Sequence, residues 1–253
     1  MMKLAPIAAV AVLLSSGLAH ADGCDGLPGY HVLQAALRAV VPPSSATTLP
    51  NGGLGFPMWL TLVDGSGRVC AVTTSLTSGD VTADIWLGSR IISAQKAYTA
   101  NSFSTGALSL STANLYSAVQ PGGSLFGLQE SNPVDATAAY DGRAVDFGTP
   151  QDPIEGKRIG GINVFGGGLT LYRGGRKVGA IGVSGDTSCT DHVVAYKVRT
   201  MLGLGAAPGG LDKMLQDITP NPTGGAGISA SGFGHPTCLN NPTSAKDGGS
   251  IVH

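Results

Sequence analysis

Short apolar runs on either side of glycine turns recur along this sequence. Residues 56–63 (FPMWLTLV) and 68–74 (RVCAVTT) flank Asp64-Gly65-Ser66-Gly67. Residues 169–172 and 178–183 flank Arg173-Gly174-Gly175-Arg176 in the same way. Runs rich in β-formers around a short glycine turn are typical of antiparallel hairpins, so the pattern predicts two of them.

Apolar or small residues at helical spacing predict helices over 30–41, 89–99, 111–120 and from Ser188 onward. Ser188 and Asp191 match a capping-box pattern at the start of the last helix. The strands do not alternate with long helices, which argues against a Rossmann sheet. The order instead predicts an α+β domain with an antiparallel sheet of about five strands and helices packed on it.

Both ends of the chain differ from this central part. Residues 1–21 combine Lys3, an apolar run and Ala19-His20-Ala21, the pattern of a cleaved signal peptide. We therefore expect a periplasmic or secreted protein without a membrane span, whose domain covers residues 22–204. Residues 205–253 are rich in Gly and Pro, and only 211–218 could form a short helix, so we expect a tail that wraps the domain.

Charge and cysteine content narrow the function classes. The formal net charge is −1 and only 12% of residues are charged, which gives no electrostatic case for nucleic acid. Four cysteines in an exported chain indicate disulfides, and their spacing does not match a zinc or haem-attachment motif. Three pairings are possible; we favour Cys24–Cys70 and Cys189–Cys238, because each would tie a terminus to the core.

Candidate chemistry is concentrated around the second hairpin. The segment 182–186 (GVSGD) resembles the G-x-S-x-G nucleophile elbow but has Asp186 in place of the last glycine. We therefore interpret Gly182 and Gly185 as turn and packing residues. His192, in the first turn of the last helix, could bind iron, act as a base or bond to the backbone. His31 is read as a solvated helix residue, and Lys96 as a helix lysine with its charge at the surface.

The segment GGINVFGGGLTLYRGGRKVGAIGVSG at 160–185, followed by Asp191, resembles the GlcG/HbpS family of haem-binding and haem-degrading proteins. The DGSGRV turn, Gln95-Lys96-Ala97-x-Thr99-Ala100 and LYSAVQPGG at 115–123 match in the same order. The resemblance covers roughly residues 28–203 and implies a profilin-like antiparallel sheet and a homo-oligomer. The chain departs from the family pattern at Thr73-Thr74-Ser75-Leu76, where the family commonly carries Arg-Met-Asp, and at Cys189-Thr190, where it carries an acidic pair. These departures suggest an exported, disulfide-bearing branch.

The resemblance implies a small-molecule ligand, most plainly haem or a related tetrapyrrole. On this reading His192 is the iron ligand, with His31 as the alternative. An enzyme that uses Lys96 and Asp191 or His192 as acid–base groups is a second reading, and a structural assembly module is a third. The residues expected to bind the ligand are Lys96, Gln129, Glu130, Gly161, Ser184, Gly185, Asp191 and His192.

Overall fold

The computed structural model describes residues 23–43, 46, 48–210, 212–225, 227–238 and 249–252. The expected signal peptide lies outside these ranges. Within them, no helix combines the length and the apolar character that crossing a bilayer requires.

A four-stranded antiparallel sheet forms the centre of the domain, in the order β2-β1-β4-β3. The strands are β1 (Trp59–Asp64), β2 (Val69–Thr74), β3 (Gly168–Arg173) and β4 (Arg176–Ser184). The two predicted hairpins are therefore present, and β1 joins them by pairing with β4 from Trp59↔Ser184 to Asp64↔Gly179. The main sheet has one strand fewer than expected, and the α+β class is as predicted.

Helices cover both faces of this sheet. They are α1 (Tyr30–Val40), α2 (Ser89–Ser102), the single turn α3 (Ala136–Ala139) and α4 (Ser188–Met201). Leu60 and Leu62 of β1 point into a core shared with α1 and α4. Trp59 and Val63 point into a second core on the opposite face, with α2. Because both faces are covered, all six residues of β1 are buried.

Two glycines allow α2 to lie very close to the sheet. Gly168 and Gly182 are cross-strand neighbours on β3 and β4. A Cβ at Gly182 would lie 1.9 Å from the Ser93 carbonyl oxygen, and one at Gly168 would lie 2.5 Å from the Lys96 carbonyl oxygen. The helix backbone therefore occupies space that any other side chain would fill, as expected for strand glycines that admit a neighbouring element.

Irregular segments bond to both edges of the main sheet. On the β2 edge, Val69 N donates to Lys157 O and Gly156 N donates to Val69 O, both at 2.9 Å. On the β3 edge, Tyr172 N donates to Leu204 O at 3.0 Å, and Tyr172 forms an isolated parallel bridge with Gly205.

The helix predicted over 111–120 is instead two 3-10 turns, Thr112–Leu115 and Ser117–Val119. Further 3-10 turns cover Ala144–Asp146 and Pro208–Gly210. In the first turn the Thr112 hydroxyl accepts from Gly168 N at 2.9 Å, which ties this segment to β3.

The short helix considered for 211–218 is also wrong. The tail there forms β5 (Met214–Leu215) and β6 (Ile218–Thr219), which pair with β8 (Ile251–Val252) and β7 (Ile228–Ser229). Met214 N donates to Ser250 O, and Leu215 N donates to the Asn114 side chain. Backbone groups that bond sideways to distant segments cannot also form a helical ladder.

Two disulfides join the ends of the chain to the domain. Cys24 is bonded to Cys70 on β2, and Cys189 on α4 is bonded to Cys238 in the tail, which is the pairing favoured from the sequence. Cys189 and Cys238 belong to a small apolar core that also contains Val193, Met214 and Ile251. The second disulfide therefore lies within a packed contact between tail and domain.

Candidate functional site

Lys96 and Asp191 form a buried ion pair where α2 meets the start of α4. Lys96 Nζ lies 2.6 Å from Asp191 Oδ2 and donates to Val183 O at 3.1 Å. The side chains are 1% and 3% exposed. Burial lowers the pKa of Lys96 and raises the pKa of Asp191 to about 6, and the attraction between the two charges opposes both shifts. Two desolvated charges are stable here only because each has its partner.

The same aspartate organises the turn that precedes α4. Asp191 Oδ1 accepts from Asp186 N at 3.0 Å, and the Asp186 carboxylate in turn accepts from Leu54 N and Phe56 N. Gly185 is required in this turn, because a Cβ there would lie 2.5 Å from Pro57 O. Lys96 is thus linked through Asp191 and Asp186 to the 54–56 loop, which is an arrangement that fixes backbone positions.

His192 is fully buried under the tail. Its Nε2 lies 3.1 Å from Ser250 O and donates to it, while Nδ1 has no hydrogen-bond partner among the described residues. Burial lowers the pKa of His192 to about 4, so the imidazole is neutral at pH 7. A neutral imidazole suits a metal, but iron could reach this ring only if residues near Ser250 moved away.

The predicted ligand-binding residues do not line one cleft. Gln129 and Glu130 are exposed on the loop after the 3-10 turns, whereas Lys96, Asp191 and His192 are buried. Gly161, Ser184 and Gly185 are buried as well. His31 is exposed on α1, as expected, and the lysine expected at the surface is buried instead. Lys96 is drawn inward because Asp191 provides the opposite charge.

Sequence reasoning missed three polar contacts, two of them buried ion pairs. Arg90 pairs with Asp152, and Arg199 pairs with Asp212, each with both side chains at most 5% exposed. Ser188 was expected to cap α4, but the cap is Thr187, and Ser188 Oγ lies 2.7 Å from His235 Nε2. The Cys189–Cys238 pairing favoured from the sequence could have indicated the Ser188–His235 contact. Ser188 directly precedes Cys189 and His235 is three residues before Cys238, so the disulfide brings both residues to the same place.

A pocket of about 680 Å³ lies between the second 3-10 turn and the tail. It is lined by residues 117 and 120–124 and by tail residues between 221 and 233. None of the residues predicted to bind the ligand lines it. Its wall combines Gly and Ser residues with the apolar side chains of Pro121, Ile228 and Phe233.

Comparisons with known proteins agree with the resemblance noted from the motifs. A curated Citrobacter freundii protein, an uncharacterized 15.0 kDa product of the dhaT-dhaS intergenic region, is 34% identical over 112 residues. That alignment covers 44% of this chain, which spans 57% of the length of the relative.

Three solved structures align with this chain over most of their own length. They include Klebsiella pneumoniae ORFY (24% identity, TM-score 0.44, 68% of this chain and 86% of that one) and a PduOC–haem complex (22%, 0.46, 70% and 94%). A double mutant of Streptomyces reticuli HbpS matches at 18% identity and a TM-score of 0.43, over 80% and 99%. The family model described as haem degrading protein HbpS-like matches residues 52–199. Because this match spans more than half of the 253 residues, the chain belongs to the HbpS-like family.

Proposed function

We propose that this protein is an exported small-ligand-binding protein whose ligand is haem or a related tetrapyrrole. The match of residues 52–199 to the HbpS-like family carries this proposal. Two disulfides support export, because such bonds persist in oxidising compartments. The low share of charged residues supports self-association, which sedimentation of the oxidised protein would measure.

Exposure favours His31 over His192 as the iron ligand. His31 lies on the outer face of α1, and Arg38 lies on the same face two helical turns later, roughly 10 Å along the axis. Arg38 Nη2 donates to Leu76 O, and the guanidinium has further N–H donors. A histidine and an arginine at this spacing could therefore hold the iron and a carboxylate of one ligand. His192 would do so only after the tail opened, and Lys96 already pairs with Asp191.

An exposed aromatic pair lies near α1, because Phe56 lines a small cleft together with Val41 and Pro42, which follow that helix. Phe56 and Trp86 make an edge contact with ring centroids 4.9 Å apart, and they are 36% and 51% exposed. A chain of contacts also connects α1 to this pair. Tyr30 Oη, on α1, donates to Gly148 O, and Gly148 packs on the Trp59 ring. The Trp59 indole N–H in turn donates to Trp86 O. An apolar surface of this kind suits the flat face of a macrocycle.

Burial argues against the acid–base alternative. Lys96 and Asp191 are 1% and 2% exposed and already satisfy each other, and His192 is 0% exposed. A general acid or base must reach the proton that it transfers within hydrogen-bond distance. The hydrogen bonds of these three side chains go to each other or to buried backbone groups. The three residues therefore fit a positioning role better than a catalytic one.

Haemin titration of the mature, oxidised protein, followed in the Soret region, tests the proposal. We expect His31→Ala to weaken binding and shift the Soret band, and Arg38→Gln to weaken binding with little spectral change. His192→Ala is the matched control and should bind as the wild type does. A spectrum that changes in His192→Ala and not in His31→Ala would place the iron under the tail. A haemin Soret band that the wild type leaves unchanged would refute haem as the ligand.

A further inference from the structure

Ser188 and His235 form a hydrogen-bonded pair outside the site discussed above. Ser188 Oγ lies 2.7 Å from His235 Nε2, and His235 Nδ1 lies 2.8 Å from Pro236 O. A carbonyl oxygen can only accept, so Nδ1 carries the proton and Nε2 is the acceptor. The serine hydroxyl therefore donates to the imidazole, which is the arrangement of a nucleophile and its general base with a third group that orients the base.

The surroundings keep this imidazole neutral and fixed. His235 is 5% exposed, and burial lowers its pKa, so at pH 7 Nε2 is free to accept a proton. Its backbone N donates to Leu215 O at 2.7 Å, and the preceding carbonyl, Gly234 O, accepts from Ser117 Oγ at 2.7 Å. The Tyr116 ring packs beside the imidazole with a centroid distance of 5.7 Å.

The serine lies where a reacting oxygen would be stabilised. Ser188 is the first residue of α4, only partly buried, and its Oγ also accepts from Gly166 N at 2.7 Å. The N-terminus of a helix favours negative charge. Gly166 N could therefore stabilise an alkoxide at Oγ, and Phe165 beside it is 47% exposed, so this side of the loop faces solvent.

The Cys189–Cys238 disulfide brings the two residues together. Ser188 and His235 are 47 positions apart, and the disulfide joins residues one position after the serine and three after the histidine. The pocket of about 680 Å³ lies next to this junction, because Ser117 and Phe233 line it and adjoin Tyr116 and Gly234.

We propose that Ser188 and His235 are a nucleophile–base pair that reacts with small carboxylic esters, whose acyl group would lie in the adjacent pocket beside Phe233. Ser188 Oγ forms a bond to the ester carbonyl carbon as its proton passes to His235 Nε2. The bond to the alcohol oxygen then breaks, and the alcohol takes that proton. Water next attacks the acyl-serine, giving its proton to Nε2, and the carboxylic acid leaves as Oγ regains a proton.

A fluorophosphonate probe, which phosphonylates activated serines, tests this pair in the oxidised mature protein. Peptide mass spectrometry should find the label on Ser188, and Ser188→Ala should lose it. His235→Asn keeps a donor for Pro236 O but lacks Nε2, so labelling should slow at least tenfold. Ser131→Ala is the matched control, because Ser131 is an exposed serine whose hydroxyl donates to Leu128 O, and it should label as the wild type does.

A second measurement covers the case in which His235→Asn fails to fold. The wild type is labelled before and after unfolding in guanidinium, and a native pair requires that Ser188 labelling be lost on unfolding. p-Nitrophenyl acetate should give a burst of nitrophenol in the wild type and none in Ser188→Ala. Absence of label on native Ser188, or labelling of folded His235→Asn at the wild-type rate, would overturn the proposal.

Discussion

Replacing Lys96 by Met should strongly destabilise the fold, because it leaves Asp191 charged and without a partner. The side chain of Met has a similar shape, so the change removes the charge while largely keeping the packing. Removing one member of a buried pair costs about 3–5 kcal/mol, since the remaining charge stays desolvated. Val183 O also loses a donor, which adds about 1 kcal/mol. We therefore expect Lys96→Met to lose about 4–6 kcal/mol at pH 8.

The pH dependence of this loss has a defined sign. Asp191 already has a raised pKa in the folded protein, and without Lys96 the pKa rises further. A group with a raised folded pKa binds more protons in the folded than in the unfolded state, so stability increases as pH falls toward the unfolded value. Lys96→Met should consequently recover part of its stability between pH 8 and pH 5.

Guanidinium unfolding at pH 8 and at pH 5, with the disulfides intact, measures the free energy of unfolding of each variant. Lys96→Met with Asp191→Asn should be more stable than Lys96→Met alone at pH 8, because no charge is left buried. The matched control is Lys157→Met, which removes an exposed pair with Asp141 at 3.2 Å and should cause no measurable loss. A loss below about 1 kcal/mol in Lys96→Met, or a double variant no more stable than the single one, would refute the reasoning.

Three further outcomes can be measured by unfolding. Gly182→Ala should lose about 3 kcal/mol or fail to accumulate, because its Cβ would meet Ser93 O, whereas Gly88→Ala meets open space and should melt as the wild type does. The pKa of His192 is near 4 in the folded protein, so between pH 6.5 and pH 4 the imidazole takes up a proton only in the unfolded state. The free energy of unfolding of the wild type should therefore fall by about 3 kcal/mol over this pH range, and that of His192→Gln should not show this fall. Replacing Cys189 and Cys238 by Ser should cost about 4 kcal/mol by chain-entropy reasoning and increase proteolysis of the tail; unchanged melting and proteolysis would contradict it.

The elements that were predicted correctly depend on local patterns. The β1–β2 and β3–β4 hairpins follow from apolar runs around glycine turns, and α1 and α4 follow from helical periodicity. The pairing of β1 with β4 joins residues more than 100 positions apart, and no local pattern encodes it. The 211–218 segment failed for the same reason, because Ser250 and Asn114 supply its backbone partners.

The site was harder to predict than the fold because burial is decided by distant residues. His192 follows the spacing of a helix start, yet its environment is set by Ser250, 58 positions away. Lys96 and Asp191 were both identified as candidates, but sequence alone could not reveal that they neutralise each other. The predicted cap of α4 was wrong by one residue, because Thr187 and Ser188 are both residue types that cap helices well. In the structure Thr187 is the cap and Ser188 bonds to His235, which the local sequence does not indicate.

The bonds at the two edges of the main sheet restrict how copies of this protein can associate. Val69 on one edge strand and Tyr172 on the other already bond to segments 156–157 and 204–205 of their own chain. A second molecule could not extend the sheet past these residues without first breaking those bonds, which discourages open-ended, fibre-like growth. Self-association would then involve side-chain surfaces such as the outer face of α1, so oligomer formation and ligand binding at His31 could compete for one surface.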